Sequence, residues 1–184
     1  MKKNVLIALT AIAILSLPSG LAWAADFSAD ITNFAMISNP DGEESARALL
    51  SFTLPDDYIG KSVKSAKLYL PISITITDSS LANLAVWPVA TAWTPENVSW
   101  TDPWNQPGGD VADSSYVLFA TDDGSSRVIE IDISTIAAAW AQEWYPNYGL
   151  LVTLIQEDRH VLEVEQNQDW PDGVLARVEI VYEE

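Results

Sequence analysis

Apolar and polar residues alternate through most of this 184-residue chain. The clearest run has Ala66, Leu68, Leu70, Ile72, Ile74 and Ile76 on one side and Lys67, Tyr69, Pro71, Ser73, Thr75 and Thr77 on the other, the two-residue period of a half-buried strand. Ala48, Leu50, Phe52 and Leu54 oppose Arg47, Ser51 and Thr53 in the same way. Ile129, Ile131 and Ile133 oppose Glu130 and Asp132, and Val174, Ala176, Val178, Ile180 and Tyr182 oppose Arg177 and Glu179. Further strands are expected near 27–37, 84–90, 115–120, 149–156 and 160–165. Turn chemistry separates them at Asn39-Pro40-Asp41-Gly42, Pro55-Asp56-Asp57, Gly108-Gly109, Asp122-Asp123-Gly124 and Pro171-Asp172-Gly173. Many short strands at this spacing predict an all-β fold, an antiparallel β-sandwich or jelly roll. One segment breaks the period. In STIAAAWAQEW, 134–144, Ser134 stands as N-cap before three successive alanines, and Ile136, Trp140 and Trp144 recur every fourth residue. That pattern predicts one short helix over about 134–144, closing an end of the sandwich.

Ahead of the strands, residues 1–24 have the layout of a secretory signal peptide: Lys2 and Lys3 form the basic start, Val5 to Leu17 the apolar centre, and Ala22-Trp23-Ala24 the small-residue cleavage site. The expected mature chain is a single secreted, extracellular domain over 25–184. The apolar stretch is too short for a comfortable membrane span and no later run of about 18 apolar residues exists, so membrane insertion is not expected. The absence of cysteine removes disulfide staples, thiolate metal sites and a lipoprotein anchor together, which leaves stability to the core. Nine Lys and Arg stand against 26 Asp and Glu, a formal net charge of −17. Nucleic acid and anionic membrane both need a basic surface and are excluded as partners. Excess carboxylate keeps an exported protein soluble, and it also offers calcium the hard oxygen ligands that ion takes.

Six blocks follow one another in order: ARALLSFTLP (46–55), GKSVKSAKLYLPI (60–72), AWTPENVSW (92–100), IEIDISTIAAAW (129–140), NYGLLVTL (147–154) and ARVEIVY (176–182). Together they resemble the DNRLRE-type domains, whose members include family 96 carbohydrate-binding modules and the disaggregatase-related repeats. The resemblance spans most of the chain after the leader. It implies a secreted β-sandwich of jelly-roll type that accompanies or recognises extracellular polysaccharide, alginate among such polymers, without chemistry of its own.

The seven tryptophans that follow the leader divide by context. Trp93 and Trp100 fall in the block that resembles the family's W-x-x-x-x-V-x-W corner, Trp140 lies on the apolar stripe of the expected helix, and Trp87 sits in a strand; packing is their expected role. Trp104, Trp144, Tyr145, Tyr148 and Trp170 lie among Pro, Asn, Asp and Gly in stretches that read as loops or helix ends, and loops run over the surface. An indole offers a flat apolar face to the C–H side of a pyranose while neighbouring amides and carboxylates meet its hydroxyls. Asp102, Asn105 and Gln106 surround Trp104, Asn167, Gln168 and Asp169 precede Trp170, and Asn147 lies between the two tyrosines. Trp104, Asn105, Trp144, Tyr145, Tyr148 and Trp170 are therefore the candidate carbohydrate-binding residues. The competing reading is that these rings fill gaps under loops or form a protein interface.

Catalytic candidates are sparse. His160 is the only histidine; Arg159-His160 followed by Glu163 and Glu165 on one strand face could supply an acid and a base, but no nucleophile elbow, HExxH pair or phosphate loop exists. Enzymatic activity is not expected. Asp122 and Asp123, before Gly124 and Ser125, and Asp110 with Asp113 offer oxygens of the kind a structural calcium takes, although Asx-type turns account for both equally well. The leading expectation is a non-catalytic secreted protein that recognises acidic or neutral extracellular polysaccharide through loop aromatics. The alternative is a structural cell-surface or matrix protein, an adhesin or fibre subunit, that self-associates or meets other surface proteins through strand edges.

Overall fold

A computed structural model of the chain describes residues 24–40, 46–76, 82–112, 116–121, 127–155, 160–164 and 176–183. The expected leader short of Ala24, the Asp122-Asp123 turn, Asp113 and Trp170 lie outside these residues. The strands are β1 (Ala24–Asp30), β2 (Asn33–Ser38), β3 (Ala46–Ser51), β4 (Ser62–Ile76), β5 (Ala82–Pro88), β6 (Val117–Thr121), β7 (Arg127–Asp132), β8 (Leu150–Leu154), β9 (His160–Val164) and β10 (Arg177–Glu183), with one helix, α1 (Ser134–Ala141), between β7 and β8.

They form two five-stranded antiparallel sheets. Sheet one runs β1-β10-β4-β7, with β9 continuing along the far end of β4; sheet two runs β2-β3-β8-β5-β6. With β2 and β9 set aside, β1-β10-β4-β7 facing β3-β8-β5-β6 is the strand order of two interleaved Greek keys, a jelly roll. The single strand expected over 27–37 is in fact two strands in different sheets. The chain changes sheet at Ile31 and Thr32: Ile31 N–H donates to Ala176 O at 3.1 Å on the side of sheet one, and Thr32 N–H to Ser51 O at 2.8 Å on the side of sheet two. A period of two continues through such a crossing and gives no sign of it.

The inner faces hold the main core, in which Leu50, Leu68, Leu70, Ile72, Val86, Ile131, Val152, Val178 and Ile180 are fully buried. The outer faces differ sharply. On sheet one, Tyr69, Lys67, Glu130, Arg177 and Glu179 form a partly solvated polar surface, as strict alternation demands. On sheet two, the outward row contains Leu49, Leu151 and Trp87, directly paired across β3, β8 and β5, and Leu49 and Leu151 are buried. Something must cover them.

The helix confirms the expected site but not the expected ends. Ser134 is its first residue rather than its cap: Asp132 Oδ1 accepts from the Ser134 N–H at 2.9 Å and from the Ser134 hydroxyl, and the Ala66 N–H donates to Ser134 Oγ at 2.9 Å. The Ser134 hydroxyl, then its N–H, hold the Asp132 carboxyl below the usual aspartate range. At the other end the helix stops at Ala141, three residues short. Ile136 and Trp140 are buried as the stripe predicts, but Trp144 is no longer helical and leaves the stripe.

Candidate functional site

The tryptophan-rich segment after β5 supplies the missing cover. Val89 and Val111 bridge at its base, Ala90 N–H donates to Asp110 O at 2.9 Å, and Ala112 N–H to Pro88 O at 3.0 Å. Between these ties the chain folds back over sheet two. Trp104 joins Ile37, Leu49, Val89 and Leu151 in a second small core, with Trp87, Trp93, Val98, Trp100 and Val111 packed around it. Two indole N–H groups are satisfied within this assembly: Trp104 donates to Ser99 O at 2.8 Å and Trp93 to Tyr148 O at 2.8 Å. Arg47 passes under the loop, its guanidinium 4.7 Å from the Trp100 ring centre and its Nη1 donating to Gly108 O at 2.7 Å.

Asp110 fixes the tip of the loop. It accepts from the N–H groups of Asn105 and Gln106, from the Asn105 side-chain amide at 2.8 Å and from the Thr91 hydroxyl at 2.7 Å. Burial pushes the carboxyl upward, but the hydrogen bonds from the Asn105 N–H, Thr91, the Gln106 N–H and the Asn105 amide outweigh it and hold the group below its usual range.

These contacts correct part of the sequence reading. Trp104, expected on the surface, is only 8 % exposed, because the outer face of sheet two is apolar and draws the indole down. Asn105 is exposed, and one of the two N–H donors of its side-chain amide is held by Asp110. Tyr148 is half-buried in the same small core. The signal for this second core was present in the sequence as runs without alternation, Ala48-Leu49-Leu50, Leu150-Leu151-Val152 and Leu84 to Trp87, which mark strands covered on both faces.

The turn after α1 behaves differently. Glu143 N–H donates to Trp140 O at 3.0 Å and Trp144 N–H to Ala139 O at 3.1 Å, the bond pair of a Schellman cap. Such a cap places its turn residue in the left-handed region, and Glu143 has φ of 55°. Glycine is the usual occupant; a side chain there costs on the order of 1–2 kcal/mol. The turn throws Trp144 outward to 72 % exposure. Tyr145 then packs against the main core and Tyr148 against the second one. Gly149, at φ of 95°, ends the segment so close to β3 that a Cβ would stand 2.1 Å from Leu50 O.

A cavity of 290 Å³ opens beside this turn, lined by Leu54, Ile59, Trp140, Glu143, Tyr145, Pro146 and Asn147. Its walls are pinned. Tyr58 Oη donates to Ala137 O at 2.7 Å and Gly60 N–H to Ala141 O at 2.7 Å, which dock the 52–61 loop on the helix. Burial, and then the neighbouring Tyr182, push the Tyr58 hydroxyl far above its ordinary pKa. Asn147 Nδ2 donates to Phe52 O at 3.0 Å while its Oδ1 accepts from Gly149 N–H at 3.0 Å, so this amide braces the turn instead of meeting a ligand. Phe52 meets the Trp140 ring edge-on at 5.5 Å. Glu143 and Trp140 as cavity walls were not foreseen, since no residue pattern announces a left-handed glutamate.

Four of the basic side chains meet carboxylates. Lys61 lies 3.7 Å from Asp57, Lys67 lies 2.7 Å from Glu130, Arg177 Nε donates to Glu179 at 3.0 Å, and Lys64 pairs with Glu183. The Glu130 hydrogen bond raises the Lys67 ammonium pKa, and the same bond lowers that of Glu130. His160 lies on β9 opposite Ile76, and Glu163 opposite Ser73; Glu165 is outside the described residues. Among the described residues no three His, Asp or Glu side chains gather as a metal site requires, and no helix is long and apolar enough to cross a membrane.

The model of carbohydrate-binding module family 96 matches residues 24–167. No curated protein matches the chain.

Proposed function

Because the chain belongs to carbohydrate-binding module family 96, we propose that it is an exported, non-catalytic protein that holds extracellular polysaccharide on the surface around Trp144. Modules of such a family bind carbohydrate and are generally without catalytic activity. The observation that carries the placement is the contrast among the described tryptophans: Trp87, Trp93, Trp100, Trp104 and Trp140 are buried or half-buried, whereas Trp144 is 72 % exposed beside a cavity. An indole held in solvent by a strained turn is a natural stacking surface for a sugar ring. Export is supported by the basic-apolar-small layout of residues 1–24.

Affinity electrophoresis through a panel of soluble polysaccharides tests this reading. The protein is expected to be retarded by at least one polymer, and Trp144→Ala to abolish the retardation with the fold intact. Retardation unchanged in Trp144→Ala would move the site elsewhere, and none by any polymer would end the carbohydrate reading.

A second reading, a structural surface protein or fibre subunit, draws on Tyr116 and Leu118, exposed at 46 % and 57 % on and beside β6 at the edge of sheet two. The Tyr116 ring is stacked 4.3 Å from Trp87. Sedimentation at micromolar concentration separates the two, since a subunit of this kind associates through that edge and a binding module alone has no need to.

A further inference from the structure

Building on the carbohydrate-binding reading, we propose that the stacked pair Trp87 and Tyr116 on the outer face of sheet two is a second stacking site for the same polysaccharide, one sugar ring lying on the open face of Tyr116 while another part of the polymer is held at Trp144.

The pair is built from the sheet outward. Trp87 stands on β5 opposite Leu151 and packs against the second core, which anchors its ring. Tyr116 falls beside it, one step on from the Val86–Val117 pair. The two rings stack with their centres 4.3 Å apart and their planes at 22°. Trp87 is half-buried, whereas Tyr116 is 46 % exposed. One face of the tyrosine is therefore taken up by the indole, and the ring is held in a set plane with the rest of its surface in water. A mobile surface ring loses rotamer freedom when a ligand fixes it; this ring is fixed beforehand, so less of the contact energy is offset on binding. Its hydroxyl both donates and accepts, as sugar hydroxyls do. Leu118, exposed two residues along the same face, extends the apolar surface for C–H groups.

Charge favours a polysaccharide as the occupant. In sheet one, β1, β7, β9 and β10 all contain Asp or Glu, whereas β2, β3, β5, β6 and β8 of sheet two contain none. On a chain of net charge −17, these are strands on which a polymer, neutral or acidic, meets no carboxylate. A second copy fits less well. It would bring the same negative charge against this one, and two exposed side chains, Tyr116 and Leu118, fall far short of the about 1,000 Å² that a specific protein interface buries.

Position links the two rings. The register brings Tyr116, Trp87 and the start of β8 to one end of sheet two. Only β5 separates β6 from β8, a distance of about 10 Å. Trp144 precedes Leu150 by six residues, at most about 20 Å of chain. One polymer strand can reach both rings, and two linked contacts hold it more tightly than either alone.

The test is affinity electrophoresis in native gels cast with alginate, polygalacturonate, galactomannan or xyloglucan, with melting curves and sedimentation of the parent, Tyr116→Ala, Tyr116→Phe and Leu118→Asn. The polymer that retards the parent is expected to hold Tyr116→Ala about tenfold more weakly, the loss of one aromatic contact. Tyr116→Phe keeps the ring and its stack and is expected to stay within about twofold of the parent. Leu118→Asn, changed at an exposed position, reads the same surface if Tyr116→Ala melts low, and is expected to weaken retardation about threefold. Retardation of Tyr116→Ala equal to that of the parent overturns the proposal and leaves carbohydrate binding at Trp144 standing, as does full retardation of Leu118→Asn where Tyr116→Ala fails to fold. Equal loss in Tyr116→Phe and Tyr116→Ala overturns it too, since the hydroxyl and not the stacked ring would then carry the contact. A parent that sediments as a dimer at micromolar concentration, with Tyr116→Ala a monomer, gives the surface to a second copy and likewise overturns it. No retardation of the parent by any polymer overturns both this site and the carbohydrate reading.

Discussion

Two stretches of this chain look alike on paper and end differently. Residues 93–104 and residues 140–148 each mix tryptophan with Pro, Asn and acidic residues. In the first, the chain folds back over an outer sheet face bearing Leu49 and Leu151, and its rings go down into a second core. In the second, a helix stops three residues early and its last tryptophan is left in solvent. The rings are the same; what lies beneath them is not. Exposure of an aromatic residue in a loop is set by whether the nearest element offers apolar surface, and loop composition says little about that.

The largest effect that bears on this contrast is expected from the rings that are buried. Trp140→Ala should cost about 3–5 kcal/mol, the usual range for a large aromatic truncated in a core. Trp104→Ala should cost about 3 kcal/mol, the low end of that range, because its small core lies at the surface and can partly collapse. Chemical denaturation measures both, and a Trp104→Ala variant as stable as the parent would return that ring to the surface class.

A smaller effect of opposite sign is expected at Glu143→Gly, which should stabilise the protein by about 1 kcal/mol by relieving the left-handed side chain, as a rise in the denaturant midpoint. Next comes acid. The Asp110 carboxyl is held below its ordinary value of 3.8. Its contribution is therefore complete above that value and is lost as the pH falls through the folded-state pKa. Tryptophan fluorescence followed from about pH 5 to about pH 2 should report the 90–112 loop loosening toward the acid end of that window, and Asp110→Asn should flatten the response. The smallest stability effect is expected from Trp144→Ala, within about 0.5 kcal/mol as for an exposed surface residue, although binding should be lost. A large loss of stability there would mean that the ring is packed after all.

The alternation along β3, β4, β7 and β10 was enough to determine an all-β sandwich, because period two can satisfy burial only in a strand with one face inward. The helix was legible for the same kind of reason, its alanine run and its Ile136 to Trp140 spacing having no strand equivalent. The runs around Leu49, Leu151 and Trp87 also carried the information that sheet two is covered on both sides, though the sequence does not say by what. Tertiary structure decided the rest. The crossing at Ile31-Thr32 depends on hydrogen bonds to Ala176 and Ser51, residues far away in the chain. The burial of Trp104 depends on the loop meeting Leu49 and Leu151. The exposure of Trp144, and the cavity beside it, depend on a Schellman turn at a residue that is not glycine, braced by Asn147 against Phe52 and by Gly60 against Ala141. Local patterns fix which side of its own element a residue takes, but whether that side meets water or another part of the chain is a long-range fact.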